Sequence, residues 1–169
     1  MDLIWGKTPL AKIALRSDSG GGLRGDQIEL PDDLTTVKLA NQLLEMEGDS
    51  VVIHDDETPT FRAWIAGEGT DQTRETIKVV PCQPNECHRN CATLWKLSPD
   101  AVSIVTGYCL SSDGMWREHT WLIDALDDIV ETTLPRTRYF GIRLSPETAK
   151  EFCDLILAPA PPVESGAAG

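Results

Sequence analysis

The segment from Cys87 to Thr133 contains, in this order, a thiol, an imidazole and a carboxylate that together suit nucleophilic acyl chemistry. In such chemistry a thiolate attacks a carbonyl carbon, an imidazole takes and returns the proton, and a carboxylate orients the imidazole. Cys87, His119 and Glu131 have the side chains for these three roles. The segment is therefore predicted to be the core of a cysteine-dependent hydrolase, with these three residues as its catalytic residues.

The position of Cys87 at a predicted helix start favours it as the nucleophile. Residues 87–97 favour a helix, which follows a proline-containing loop at residues 81–86 and is ended by Ser98-Pro99. The free N–H groups and the positive dipole end of a helix stabilise a thiolate and lower its pKa. The N–H groups of Cys87 and His88 are also expected to line an oxyanion hole.

His119 and Glu131 lie on two neighbouring predicted strands, 116–123 and 128–133. A loop of five residues, 123–127, would place His119 directly opposite Glu131, with Cβ atoms ~4.5–5.5 Å apart, and Trp121 opposite Ile129. A register shifted by two would leave the pair diagonal, whereas a tight turn at residues 127–128 would put Glu131 on the wrong face. The prediction therefore depends on the length of the connection.

Two residues compete for these roles. Cys91 lies one helical turn after Cys87 on the same face and is an alternative nucleophile, although only Cys87 lies at the dipole end. Asp124 is an alternative acid, but strand alternation places it on the face opposite to His119. Gln83, His88 and Asn90 are the candidate residues for oxyanion binding or for support of the site.

A zinc site is the main alternative that involves no catalysis. Cys82, Cys87, His88 and Cys91 lie within ten residues and are of the types that zinc prefers. The segment lacks a second pair of closely spaced ligands, and a helix that begins at Cys87 is expected to point His88 away from both Cys87 and Cys91. No metal and no cofactor is therefore predicted.

The surrounding sequence predicts a single α+β domain over residues 1–157, divided into an N-terminal portion (1–80), a catalytic core (81–142) and a C-terminal helix (143–157). The N-terminal portion is predicted to contain strands near 10–16 and 26–30, an amphipathic helix that ends near 47, and strands at 50–54, 60–66 and 75–80. The core adds a buried strand at 101–110 and a strand at 139–142. Ser145-Pro146 begins the last helix, and residues 158–169 are predicted to be a disordered tail.

Composition narrows the possible partners and location. The chain has a net charge of −12 and a pI of about 4.5. A protein this acidic repels the phosphate backbones of nucleic acids, so no nucleic-acid partner is expected. No apolar run reaches the ~18 residues of a membrane span, and no secretory signal is recognisable, so a cytoplasmic location without membrane association is predicted. Five cysteines, an odd number, favour reduced thiols. The expected partner is a peptide or small amide substrate, and the oligomeric state is left open.

The ordered runs CHRNCATLW, SIVTGY, REHTWLID and IVETT resemble the core of the transglutaminase-like superfamily of papain-fold cysteine enzymes, over about residues 80–140. This resemblance implies a nucleophile helix packed on an antiparallel sheet, with Cys87 as nucleophile, His119 as base and Glu131 as orienting acid. It also implies acyl transfer, or hydrolysis of an amide or ester, through a thioester. A catalytically inactive binding domain of the same superfamily is the alternative.

Overall fold

The structure, a computed structural model, describes residues 13–16, 34–54 and 57–159. The predicted strand at 26–30 and almost all of the predicted tail lie outside these residues. The described chain forms four helices and eight strands. In chain order they are β1 (Ile13–Arg16), α1 (Leu34–Met46), β2 (Ser50–Ile53), α2 (Pro59–Glu68), β3 (Thr70–Asp71), β4 (Ile77–Val79), α3 (Cys87–Leu97), β5 (Val102–Leu110), β6 (Met115–Asp124), β7 (Ile129–Glu131), β8 (Arg138–Arg143) and α4 (Pro146–Ile156). No described helix has the length and apolar character needed to cross a membrane.

All of these strands belong to one sheet, and the predicted α+β class is confirmed. The main path runs β1-β2-β6-β5-β8-β3, while β7 pairs with β6 and β4 pairs with β7. The central strands β6, β5 and β8 are antiparallel, as predicted. The expectation of a purely antiparallel sheet is wrong, however, because β2 runs parallel to β6 and β4 runs parallel to β7.

One edge of β6 is shared by two different strands, and this arrangement creates the place for the site. On that edge β2 pairs with residues 115–117 and β7 pairs with residues 122 and 123, while β5 pairs with the opposite edge along its whole length. Between the two contacts, no strand of the described chain pairs with Glu118, His119 and Thr120 on this side. Groups from outside the sheet can therefore approach β6 at this gap.

The two faces of the sheet are packed differently. On one face, Trp116 packs with α1 and α2, and Leu122 packs with α3 and α4. These two residues share a face because they are an even number of positions apart on β6. The opposite face contains a smaller cluster with Trp121 and Tyr139. His119 and Glu131 belong to this second face, because their positions on β6 and β7 have the parity of Trp121 and Ile129.

The segment at residues 60–66 forms a helix, so the predicted strand there is wrong. The Thr58 hydroxyl accepts a hydrogen bond from the Phe61 N–H at 3.1 Å, and Pro59 occupies the first helical position. These are strong helix-start signals. Phe61 and Ile65, four residues apart, are then buried on one face, whereas a strand would have exposed alternate residues.

Several other predicted elements are confirmed. Helix α3 begins at Cys87 and ends at Leu97, and β5 is buried between two strands. The Ser145 side chain accepts from the Thr148 N–H at 3.2 Å and caps α4. Most of residues 81–142, the predicted catalytic core, therefore has the secondary structure that its sequence predicts.

A pair of glycine substitutions tests the close approach of β5 and β8 beside the site. Gly107 is paired with Gly141, and a Cβ at Gly107 would collide with the Phe140 carbonyl oxygen and come within 2.5 Å of the Gly141 Cα atom. We expect Gly107→Ala to lower the free energy of unfolding by about 1–3 kcal/mol, as overpacking does. The matched change Gly67→Ala lies in α2, where a Cβ meets nothing within 4 Å. It should raise stability by about 0.5–1 kcal/mol.

Urea unfolding of both variants measures these two changes. Equal stability of Gly107→Ala and Gly67→Ala would contradict the tight strand packing described above.

Candidate active site

Cys87 is the first residue of α3 and lies in the cavity at the unpaired edge of β6. The segment before α3 is hydrogen-bonded to the end of β7, the strand that carries the predicted acid. The Val80 N–H donates to the Glu131 carbonyl oxygen at 2.8 Å. The Cys82 N–H donates to the Thr132 carbonyl at 3.2 Å. These bonds extend the β4–β7 pairing to the loop, so the thiol and the acid are held in one local framework.

His119 and Glu131 form a buried pair, as predicted. The His119 Nε2 atom lies 3.1 Å and 3.0 Å from the two carboxylate oxygens of Glu131, and the side chains are 5% and 0% exposed. The predicted direct opposition of the two residues is wrong. Ile123 pairs with Ile129, so the register places Glu131 opposite Trp121 and diagonal to His119. The five intervening residues are 124–128, one position later than expected.

The Glu131 carboxylate has an unusually complete set of donors. Besides His119, its oxygens accept from the backbone N–H groups of Thr132 (2.9 Å) and Thr133 (3.1 Å), the Thr133 hydroxyl (3.1 Å) and the Tyr139 hydroxyl (3.2 Å). Burial raises the pKa of this carboxyl, but the hydrogen bond and charge of His119 and the Thr133 donors outweigh burial and lower it. Glu131 is therefore a fixed anion.

The two ring nitrogens of His119 differ in their surroundings. Nε2 is engaged by Glu131, which leaves Nδ1 available for another partner. Burial lowers the pKa of His119, but hydrogen bonds with Cys87 and Glu131 outweigh burial and raise the pKa to about 9. The ring therefore carries a proton near neutral pH and can donate it.

A second imidazole–carboxylate pair lies beside the same sulfur. The Cys87 Sγ atom is 3.5 Å from Nδ1 of His88, whose Nε2 donates to Glu118 Oε1 at 2.8 Å. The prediction that His88 points away from Cys87 is wrong, because Glu118 on the unpaired edge of β6 holds the ring beside the thiol. Burial lowers the pKa of His88, but the Glu118 charge and the bonds with Cys87 and Glu118 raise it well above 6.5.

The two imidazoles together activate the Cys87 thiol. Burial raises the pKa of Cys87, but hydrogen bonds with His119 and His88, and the positive charges of both rings, lower the pKa to about 6. Most of the thiol is therefore deprotonated at neutral pH, the state in which sulfur is a nucleophile.

The thiol opens into a cavity of about 700 Å³. All three histidines of the chain line this cavity, together with two arginines and one carboxylate: His54, His88, His119, Arg117, Arg136 and Glu118. The rest of the wall comes from the loop before α3, from the segment after β7, which includes Leu134, and from Cys109 of β5. The cavity has room for part of a peptide or for a small amide.

The competing residues have other roles. Cys91 is fully buried in the core, its thiol lies 3.4 Å from the Thr120 carbonyl oxygen, and burial raises its pKa well above 9. Asp124 is bonded to Lys78 and accepts from N–H groups of its own turn, so it does not contact His119. These two observations favour Cys87 over Cys91 as the nucleophile and Glu131 over Asp124 as the acid.

Of the candidate supporting residues, Asn90 and Gln83 are linked through the backbone of the loop before α3. The Asn90 side chain is buried and donates to the Gln83 carbonyl oxygen at 2.8 Å, which ties the loop to α3. The exposed Gln83 is not among the residues that line the cavity. Among the described residues, which include all four candidate zinc ligands, no group of three or more His, Cys, Asp or Glu is arranged to hold a metal ion.

No family model matches this chain, and no curated protein or solved structure matches it significantly. The chemistry of the site is therefore inferred from its own geometry and from the ordered runs of its sequence.

Sequence reasoning missed Glu118 and Tyr139. Glu118 directly precedes His119, and strand alternation predicts that neighbouring residues face apart. Glu118 and His119 do lie on opposite faces of the sheet. Both nevertheless line the cavity at Cys87, because β2 and β7 leave this part of the edge of β6 unpaired. Tyr139 can donate to Glu131 because β8 lies beside β5, and the sequence spacing does not predict this pairing.

Proposed function

We propose that this protein is a cysteine-dependent acyl-transfer enzyme that hydrolyses an amide or peptide bond through a thioester. The observation that carries the proposal is the Cys87 thiol, which faces an open cavity and is flanked by two imidazole–carboxylate pairs. A core cysteine has no need for two charged partners, whereas a nucleophile that must be a thiolate at neutral pH does. The resemblance to transglutaminase-like enzymes supports the same reaction class.

In the proposed first step, the Cys87 thiolate attacks the substrate carbonyl carbon, and the carbonyl π electrons move to oxygen. The backbone N–H of Cys87, in the first turn of α3, is the expected donor to this oxyanion. Collapse of the intermediate breaks the C–N bond, and His119 gives its proton to the leaving amine. The acyl group remains on sulfur as a thioester.

In the second step, neutral His119 takes a proton from water, and the resulting hydroxide attacks the thioester carbonyl. The C–S bond then breaks, which releases a carboxylic acid and restores the thiolate. Glu131 stabilises the imidazolium whenever His119 carries the proton. The pair of His88 with Glu118 keeps a positive charge beside the sulfur in the resting state.

Acylation by p-nitrophenyl acetate tests this proposal without knowledge of the natural substrate. We expect a burst of nitrophenol equal to the amount of enzyme, followed by slower turnover, because thioester formation should precede hydrolysis. Intact-mass analysis after an acid quench should show one acetyl group, and peptide mapping should place it on Cys87.

Cys87→Ser should lose both the burst and the acetyl group. Cys82→Ser is the matched control, because Cys82 lines the same cavity and is also only partly buried; this variant should keep both. An unmodified protein that is never acetylated at Cys87, or is acetylated only at Cys82, would overturn the proposal and favour a binding domain without catalysis.

A further inference from the structure

The cavity at Cys87 has a charge balance opposite to that of the whole chain. The protein has a net charge of −12 with 27 acidic residues, yet Glu118 is the one carboxylate that lines the cavity among the described residues. Two arginines and all three histidines line it as well. Grouped cationic residues in an otherwise acidic protein concentrate anions at that one place.

Most of these charges already have a partner within the protein. Glu118 is bonded to His88, and His119 is bonded to Glu131. Arg117 forms a bidentate ion pair with Asp113, with nitrogen–oxygen distances of 2.9 Å and 2.7 Å. Their charges are therefore largely satisfied before any substrate arrives.

Arg136 is different, because no carboxylate of the described residues pairs with its guanidinium. Its Nη1 donates to the Ser111 hydroxyl at 3.1 Å, and its backbone N–H donates to the Tyr139 hydroxyl oxygen at 3.0 Å. A guanidinium has five N–H donors, so this one has several left for a ligand. The backbone at Arg136 is held in place, because the Tyr139 hydroxyl that accepts from its N–H also donates to Glu131.

We propose that Arg136 binds a carboxylate group of the substrate, so that the acyl compounds hydrolysed at Cys87 are anionic ones. The planar fork of a guanidinium matches a carboxylate and binds it through two parallel hydrogen bonds. Ser111 holds the guanidinium and Tyr139 holds the backbone of the arginine, and the half-buried position strengthens the ion pair relative to one in open water. This inference rests on the proposed function, because it assigns the substrate class of the same site.

Two alkylating reagents of similar size but different charge separate this subsite from the reactivity of the thiol. Iodoacetate carries a carboxylate, and iodoacetamide is its neutral counterpart. Both alkylate Cys87 by the same displacement, in which the C–S bond forms and iodide leaves. The ratio of their rates at Cys87, followed by mass spectrometry of the peptide, therefore reports on anion binding near the sulfur.

We expect Arg136→Gln to lower the iodoacetate to iodoacetamide ratio by about tenfold, the size of one charged hydrogen-bonded pair. Arg136→Lys should keep part of the ratio. Arg117→Gln is the matched control. It also removes one positive charge from the wall of the cavity, but the arginine that it replaces is already paired with Asp113. It should change the ratio by less than about twofold.

Substrate protection on the unmodified protein provides a second measurement that needs no folded variant. Succinate should slow the reaction of iodoacetamide at Cys87, and succinamide should not. Equal ratios in Arg136→Gln and Arg117→Gln, or equal effects of succinate and succinamide, would overturn the carboxylate subsite and leave the proposed function standing. A Cys87 that iodoacetamide labels no faster than free cysteine at about pH 6 would count against both.

Discussion

Replacement of His119 with alanine is expected to raise the pH midpoint of Cys87 alkylation from about 6 by about one to two units. The hydrogen bond of His119 is the largest single contribution that lowers the pKa of this thiol, and loss of the ring leaves only His88 to oppose the burial that raises it. Acyl turnover should fall by about 100- to 10,000-fold, because the ring also transfers the proton. The alkylation rate should fall by much less, since a more basic thiolate is a better nucleophile.

The measurement is the rate of iodoacetamide labelling of the Cys87 peptide as a function of pH. His88→Ala should move the midpoint in the same direction, because the hydrogen bond and the positive charge of His88 also lower the pKa of the thiol. His54→Ala is the control, since this third histidine lines the cavity but is not among the groups that shift the thiol. Unchanged midpoints in His119→Ala and His54→Ala alike would contradict the assignment of His119.

The second large effect is expected for Glu131→Gln. Removal of one member of a buried ion pair leaves the other charge uncompensated, which costs about 3–5 kcal/mol of unfolding free energy. Glutamine keeps the size and can still accept from the Thr132 and Thr133 N–H groups, so we expect a loss of about 3 kcal/mol, near the lower limit. Without the carboxylate, the pKa of His119 should also fall, and turnover should decrease with it.

The pH dependence of this effect has a definite sign. The pKa of Glu131 is lowered in the folded protein from an ordinary value of 4.5. Its contribution to stability is therefore fully present above pH 4.5 and is lost as the pH falls toward the folded value. His119 has its pKa raised from 6.5 to about 9, so its contribution is full only below pH 6.5. The stability gap between the unmodified protein and Glu131→Gln should therefore be widest at about pH 5.5 and should narrow at about pH 4.

Urea unfolding at the two pH values measures this gap. Asp154→Asn provides the control, because Asp154 of α4 forms solvent-exposed ion pairs with Lys96 of α3 and Lys150 of α4. This change should have a much smaller effect at about pH 5.5. A Glu131→Gln protein as stable as Asp154→Asn would contradict the buried ion pair.

Parts of this fold could be predicted because the deciding signals are local. The cap at Ser145 and the proline that follows it determine the start of α4, and the two prolines before Cys87 separate β4 from α3. The same capping signal at Thr58-Pro59 precedes a run of strand-favouring residues, and the two local signals predict different structures. The cap agrees with the structure, since α2 begins at Pro59.

Other features depend on contacts between distant segments. The register of β7 on β6 is determined by the turn at residues 124–128, where Asp127 adopts a left-handed φ of 63° and Asp124 accepts from two turn N–H groups. Sequence spacing allowed two registers that keep His119 and Glu131 on one face, and it favoured the wrong one. The chemistry of the pair survives because diagonal neighbours are still within reach of long side chains.

The second imidazole at Cys87 could not be predicted from helical geometry alone. Whether His88 turns toward the sulfur depends on Glu118, which is 30 residues away and accessible only because β2 and β7 leave part of the edge of β6 unpaired. The parallel pairing of β2 with β6 was itself unexpected. The thiol environment is thus a product of sheet topology, whereas its central residues are identifiable from their order in the sequence.

The most direct test of an activated Cys87 is the pH profile of its alkylation in the unmodified protein. Iodoacetamide labelling between about pH 4 and pH 10, with mass spectrometry to separate the five cysteine peptides, gives the ionisation midpoint of this thiol under native conditions. The two imidazole–carboxylate pairs predict a midpoint near 6. A midpoint at the value of a free cysteine, about 8.5, would show that neither imidazole activates the sulfur and would contradict the proposed enzyme.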